Sequence, residues 1–316
     1  MNTDITYGKT PKTIRKILRS KITEWLTSIT DETLRTQLEK EVIVTGGSIA
    51  SMLIGQPVND YDLYLKTKAT TIAAARYYVQ KFNSNKKIKV AEGVTEYEPY
   101  VDEKKITNCK GIEEDRVVIY IKSAGVASET QDTYQYFEAQ PDDVVQQFVA
   151  SLNPEEEEGK EKYRPIFLST NAITLSNSIQ LVIRFYGNPD EIHDNFDFAH
   201  AMSYYDYAEN NLVLPNEALT CLLSKTLKYK GSLYPICSLF RTKKFLERGW
   251  RISAGEQLKM AWQISELDMK NVEVLQEQLT GCDAAYMHQL LTALKSVEAD
   301  KINSCYIAEI IDRIFG

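Results

Sequence analysis

The chain has 316 residues, of which 43% are hydrophobic and 26% are charged, and its formal net charge is −7. These proportions are ordinary for a folded globular protein and exclude a chain that is disordered along its length. No apolar run approaches the eighteen or so residues needed to span a bilayer, and the N-terminus is polar, so we expect a cytoplasmic protein without membrane partners.

The first predicted elements are helices over residues 12–40. Apolar side chains recur there at helical spacing, which indicates one or two amphipathic helices. The apolar stripe consists of Ile14, Ile17, Leu18, Ile22, Trp25 and Leu26. We expect this stripe to pack against a sheet.

A glycine turn follows the first predicted strand. Residues 42–44 are Val-Ile-Val and predict a buried strand, and Gly46-Gly47 permits a tight turn whose backbone N–H groups can approach a phosphate closely. Ser48 is expected to cap the next helix, which Gly-Gln-Pro at 55–57 ends. Because the N-terminus of a helix attracts anions, Gly46, Gly47 and Ser48 are predicted to bind triphosphate oxygens.

Two carboxylates follow this helix in an alternating run rich in Tyr and Leu. Asp60 and Asp62 lie two residues apart, so in a strand their side chains emerge on the same face, about 6.6 Å of rise apart. Mg²⁺ prefers oxygen ligands and is commonly held by one or two carboxylates together with substrate phosphates. The pair is therefore predicted to hold Mg²⁺, with Mn²⁺ as a substitute.

The middle of the chain alternates helix and strand signals. Residues 71–82 read as a helix and 87–90 and 116–122 as strands, which indicates an α/β arrangement. Between Glu92 and Lys162 there are eighteen acidic and seven basic residues. We expect this acidic insertion, near 92–162, to be an exposed loop that repels a nucleic-acid backbone.

From about residue 215 onward helical periodicity replaces the strand signals. This predicts a head domain over residues 1–214 and a helical domain over 215–316. Nine basic and two acidic residues lie between Thr220 and Met260. Helical spacing puts Arg241, Lys244 and Arg248 on one side of a helix, where they form either a phosphate-binding surface or an ordinary solvated face.

The segment from Gly46 to Asp62 resembles the head-domain signature of polymerase-β-type nucleotidyltransferases. Its register is that of the tRNA CCA-adding enzyme and bacterial poly(A) polymerase branch, which has Gly-Gly, a helix ending Leu-Leu-Gly, a basic residue, Pro and Asp-X-Asp. The corresponding residues here are Gly46-Gly47, Leu53-Ile54-Gly55, Pro57 and Asp60-Tyr61-Asp62. Residues 171–206 resemble, more loosely, nucleotidyltransferase-like proteins of large bacteriophages, which would place the chain in the host cytoplasm.

The resemblance implies a fold and a reaction. The fold is an α/β (α+β) nucleotidyltransferase head with a mixed sheet, followed by an all-helical C-terminal domain. The reaction is Mg²⁺-dependent transfer of a nucleoside monophosphate from an NTP to an acceptor hydroxyl, with an RNA 3′ end favoured. Asp60 and Asp62 would hold the metal, Gly46, Gly47 and Ser48 the β- and γ-phosphates, and Arg241 or Lys244 would add positive charge.

Two departures from the family pattern keep other interpretations open. Ala50-Ser51 stands where the family usually has Arg-Asp, and Gln180 stands in the strand where a third carboxylate is expected, with Asp197 as another acidic candidate. The alternatives are a protein or small-molecule acceptor, or a catalytically impaired fold that serves as a binding or assembly module. The sequence does not indicate which nucleotide is transferred or what oligomeric state the protein has.

Overall fold

A computed structural model describes residues 8–84, 98–107, 113–120, 125–127, 161–269, 271, 274 and 278. These residues form an eight-stranded mixed sheet, helices that pack on one of its faces, and a mainly helical C-terminal part, which confirms the expected fold class. The helices are α1 Pro11–Thr27, α2 Glu32–Glu41, α3 Gly47–Leu53, α4 Lys68–Ser84, α5 Pro189–His193, α6 Asn216–Ser224, α7 Pro235–Glu247 and α8 Ala254–Ser265. The strands are β1 Val42–Thr45, β2 Tyr61–Leu65, β3 Tyr100–Thr107, β4 Glu113–Tyr120, β5 Gly125–Ala127, β6 Pro165–Ser169, β7 Ala172–Leu175, β8 Ile179–Tyr186, β9 Tyr204–Asp206, β10 Asn211–Val213, β11 Thr226–Leu227 and β12 Arg251–Ile252.

The large sheet has the strand order β10-β9-β1-β2-β8-β7-β6-β5. Strands β2 and β8 are parallel neighbours, and the other pairs in this sheet are antiparallel. The parallel pairing joins two segments that lie far apart in the chain, and its register places Gln180 directly beside Asp62. The centre of the sheet therefore carries residues from both candidate segments.

One face of the sheet is covered by α1, α2 and α4. Alternate residues of β1, β2 and β8 meet these helices in the main apolar core, to which the predicted stripe of α1 contributes as expected. Trp25 on α1 donates a hydrogen bond from Nε1 to the hydroxyl of Tyr78 on α4 at 2.7 Å, and both side chains are fully buried. These helices cover this face of the sheet, so the candidate site lies on the opposite face.

The opposite face carries a smaller apolar cluster beside the polar residues. Ile43, Tyr64 and Ile192 are buried there, and Val182, Phe185, Phe196 and Tyr204 pack against them. Helix α5 begins with a capping box in which Asn188 and Glu191 bond each other's backbone N–H groups. This cap holds the start of the segment that follows β8 and crosses this face of the sheet.

The acidic insertion contributes paired strands where it is described. Strands β3 and β4 form an antiparallel pair, which confirms the strand predicted near 116–122, and β5 joins the edge of the large sheet beside β6. The strand predicted over 87–90 and the glutamate run at 155–158 lie outside the described residues.

The C-terminal part is mainly helical through residue 269. Helices α6, α7 and α8 lie in the region that was predicted to be helical, and β11 and β12 add a short parallel pair between them. Beyond residue 271 only residues 274 and 278 are described, and the domain boundary at 214 stays a prediction. An apolar cluster joins the C-terminal part to α3 and to the segment after α5; it consists of Ala50, Phe198, Leu222, Leu227, Tyr229, Trp250 and Met260.

Candidate functional site

The glycine turn lies against the carboxylate of Asp62. Gly46 follows β1 with φ 97° and ψ −149°, a conformation that L side chains rarely adopt, and its N–H donates to the carbonyl oxygen of Ala201 at 3.2 Å. A Cβ at position 46 would lie 3.1 Å from Oδ2 of Asp62. The backbone conformation therefore favours glycine at this position, and a side chain here would also require the Asp62 carboxylate to shift by a few tenths of an ångström.

Asp62 lies in the predicted strand, and Asp60 precedes that strand by one residue. Asp60 is exposed immediately before β2, and Asp62 is half-buried within it. Burial, followed by the charge of Asp60, raises the pKa of Asp62 well above its usual value. Two carboxylates that disfavour each other's ionisation form a site that a divalent cation would stabilise.

Ser48 does not cap its helix, which corrects the sequence-based expectation. Helix α3 begins at Gly47, Gly46 occupies the N-cap position, and no side chain bonds the first turn. Ser48 is 3% exposed, and its Oγ has no hydrogen-bond partner among the described residues. A Cβ at Gly47 would meet nothing within 4 Å. The turn thus has open space at the Cβ position of Gly47, whereas the Ser48 hydroxyl is enclosed by protein.

The sheet neighbours of Asp62 are both neutral. Gln180 lies beside it in β8, so the amide occupies the strand position where the third carboxylate was sought. On the other side, the register Val44↔Leu63 places Thr45 next to Asp62 one residue further along. The Thr45 hydroxyl is engaged with the carbonyl oxygen of Ser203 at 3.0 Å and with Nε2 of His193 at 2.8 Å.

Arg241 approaches the aspartates from the C-terminal part. Its Nη1 pairs with Oδ2 of Asp197 at 2.6 Å, in the bend that follows α5. Burial raises the pKa of the Tyr64 hydroxyl well above its usual value, the charges of Asp62 and Asp60 raise it further, and the charge of Arg241 lowers it. The guanidinium and the carboxylates therefore lie within electrostatic reach of the same hydroxyl.

Lys244 is not brought to this point. It lies three residues beyond Arg241 on α7, half-buried, and in the described part of the chain it makes no such contact with Tyr64. Asp197 is the partner of Arg241 rather than a residue on a helix surface. Tyr64 was not singled out from the sequence, although it continues the alternation of positions 60 and 62.

The donor set fits one magnesium ion. Asp60 and Asp62 offer anionic oxygens, and the missing Cβ of Gly46 makes room for the Asp62 carboxylate beside the turn. Within the described ranges, no group of three or more His, Cys, Asp or Glu side chains is placed to hold a metal. Mg²⁺ tolerates such a sparse protein shell because it retains waters and substrate oxygens.

Among the residues that the structure describes, no helix is long and apolar enough to cross a membrane.

Comparison with solved structures finds tRNA-processing enzymes at low scores. The Thermotoga maritima CCA-adding enzyme complexed with tRNA matches with a TM-score of 0.37 and 9% identity, covering 92% of this chain and 68% of the enzyme. The Bacillus stearothermophilus CCA-adding enzyme in complex with CTP matches with a TM-score of 0.31 and 10% identity, covering 86% and 51%. No residue role in this chain follows from these two likenesses.

Comparison with known sequences identifies the family. A curated protein of Bacillus phage SPbetaL7, Gabija anti-defense 2, is 24% identical over 132 residues, which are 42% of this chain and 32% of the relative. The aligned stretch thus spans about a third of that relative. A family profile described as Gabija anti-defense 2 family protein matches residues 16–225, a range that includes the glycine turn, both aspartates, Gln180 and Asp197. The chain therefore belongs to the Gabija anti-defense 2 family.

Proposed function

We propose that this protein is a Mg²⁺-dependent nucleotidyltransferase that transfers a nucleoside monophosphate from an NTP to an acceptor hydroxyl and releases pyrophosphate. The observation that carries the proposal is the approach of the Gly46 turn to Asp62, at 3.1 Å from a Cβ position to Oδ2. This contact puts the glycine turn directly beside the carboxylate pair, and the Cβ position of Gly47, the next residue, meets open space.

Each residue then has a role in binding or charge. Asp60 and Asp62 hold the metal and orient the α-phosphate for in-line attack by the acceptor. The backbone N–H groups of Gly47 and Ser48, at the start of α3, bond the β- and γ-phosphate oxygens, and Gly46, whose own N–H is bonded to Ala201, allows the chain to turn beside them. Arg241 adds positive charge near the leaving pyrophosphate and is aimed by Asp197. When bound, the metal polarises the phosphate and stabilises the charge that develops on it.

The acceptor that we propose is an RNA 3′ end. The register of the glycine motif supports it, as does the basic composition of α7, on which Arg241 and Arg248 are exposed. Protein and small-molecule acceptors are outcomes of the experiment below.

The setting that we propose is phage infection of a bacterium. The family description and the phage relative support an anti-defense role, carried out in the host cytoplasm, in which nucleotidyl transfer counters the Gabija defence. The transferred nucleotide would inactivate or divert a component on which that defence depends.

A binding module is the second candidate. Gln180 provides no charge beside Asp62, and Ala50 is buried in the apolar cluster at the position where related enzymes carry a charged side chain. Both observations favour a protein that binds a nucleotide or a partner without catalysing a reaction.

One experiment separates these functions. The full chain is incubated with α-labelled NTPs, Mg²⁺ or Mn²⁺, total RNA and total protein, and the products are resolved on a denaturing gel. We expect label in RNA, and its loss in Asp60→Ala and Asp62→Ala. Glu32→Ala, which removes an exposed carboxylate on α2, is the matched control and should retain activity. Undiminished transfer by both aspartate variants contradicts the proposal, and an inert wild type with every acceptor favours the module.

A further inference from the structure

We infer that the carboxylate pair binds a single divalent cation, and that Gln180 is the residue that limits the site to one. This inference rests on the proposed function, in which Asp60 and Asp62 hold the metal. It concerns the number of ions and the residue that determines it.

The sheet geometry identifies the only two strand positions next to Asp62 on its face. Neighbouring strands lie about 4.8 Å apart, so a side chain beside Asp62 can share a metal ion with it, whereas a side chain two strands away cannot. The β8 neighbour is Gln180, and the β1 neighbour is Thr45, whose hydroxyl is already engaged with Ser203 and His193. Neither neighbour contributes a negative charge.

The charges around the pair balance one divalent ion. Asp60 and Asp62 supply two negative charges when ionised, and Arg241 is neutralised by Asp197 at 2.6 Å. No third His, Cys, Asp or Glu joins the pair in the part of the chain that the structure describes. Two metal ions in one site lie only about 3.5–4 Å apart, so a second ion would bring two unbalanced positive charges against the first.

A carboxylate at position 180 should create the missing site. Gln180→Glu places a negative charge beside Asp62 in the existing register, with nearly the same side-chain volume. Thr174 lies directly opposite Gln180 on β7, on the same face but two strands from Asp62, and is half-buried like Gln180. Thr174→Glu is therefore a matched control that adds the same charge out of reach of the pair.

The test is a Mn²⁺ titration of the nucleotide-free full chain, with free Mn²⁺ followed by its electron paramagnetic resonance signal. We expect one bound Mn²⁺ per wild-type chain, two for Gln180→Glu, one for Thr174→Glu, and none for Asp60→Asn combined with Asp62→Asn. Gln180→Asp, which places a shorter carboxylate at the same position, should also bind two ions and tests the same point if the Glu variant does not fold.

The outcomes distinguish this inference from the proposed function. Two ions on the wild type, no ion on the wild type, or one ion on a folded Gln180→Glu or Gln180→Asp would overturn the single-ion inference. Because substrate phosphates complete the metal shell in the proposed reaction, the label-transfer experiment described above tests the proposed function separately.

Discussion

At the scale of single residues, the site depends on the absence of a Cβ atom at position 46. The carboxylate of Asp62 reaches the glycine turn only because position 46 lacks a Cβ, and the backbone there has a positive φ of 97°. Gly47 is next to it in sequence but has open space around its Cβ position. The two glycines of the motif therefore differ in what they tolerate.

Gly46→Ala should destabilise the fold and disturb the metal site. The backbone strain costs about 1–3 kcal/mol, and the methyl group pushes the Asp62 carboxylate from its place. Gly47→Ala is the control and should change the free energy of unfolding by less than about 1 kcal/mol. Urea denaturation and Mn²⁺ binding measure the two effects. A Gly46→Ala variant that binds Mn²⁺ like the wild type would show that the contact does not shape the site.

Asp197→Asn should weaken NTP binding more than it weakens the fold. The pair with Arg241 is partly exposed, so its contribution to stability is small, but its loss frees the guanidinium from its aimed position. We expect KM for the NTP to rise about fivefold, or about 1 kcal/mol, with a smaller change in kcat.

The control for this pair is Glu217→Gln. It removes an exposed carboxylate that bonds Lys228 and Lys230 and should leave KM unchanged. Equal KM values for Asp197→Asn and the wild type, measured by steady-state kinetics, would refute the positioning role.

At the scale of elements, the packing of α3 explains why this chain lacks the Arg-Asp pair of the nucleotidyltransferase signature that it resembles. Ala50 is 7% exposed and packs in the apolar cluster with Phe198, Leu222 and Trp250. An arginine at this position would be buried against the C-terminal part. The apolar side chains that pack on α3 therefore explain why alanine stands at position 50.

Ala50→Arg should therefore be strongly destabilising, although it restores the residue of the related enzymes. Burying an unpaired charge in an apolar cluster costs about 3 kcal/mol or more. Ser51→Arg puts the same charge one position along, on a half-buried part of the helix, and should cost much less. Thermal unfolding of the two variants checks the difference, and equal melting temperatures would contradict the packing argument.

At the scale of the whole molecule, His200 connects the sheet segment to the C-terminal part. It is 6% exposed, its ring lies 4.7 Å from Phe245 and 4.5 Å from Trp250 between centroids, and burial lowers its pKa to about 4 against the opposing charge of Asp197. The folded protein thus holds a neutral imidazole across the junction at neutral pH.

Acidification should loosen this junction. Between pH 6.5 and about 4 the unfolded chain binds a proton at His200 that the folded chain does not, so stability falls as pH falls, by at most about 1.4 kcal/mol per pH unit. His200→Phe should flatten the dependence of melting temperature on pH in this window. Equal slopes below pH 6.5 would show that His200 does not titrate as described.

The sequence determined what depends on neighbours in the chain. Helical periodicity predicted α1, α6, α7 and α8, and alternation predicted that Asp60 and Asp62 share a strand face beside the glycine turn. Only the tertiary structure decided that Gln180 lies beside Asp62, that Asp197 holds Arg241, and that Ser48 is buried rather than capping its helix. Periodicity records local backbone geometry, whereas strand order and register depend on contacts between residues that are far apart in the chain.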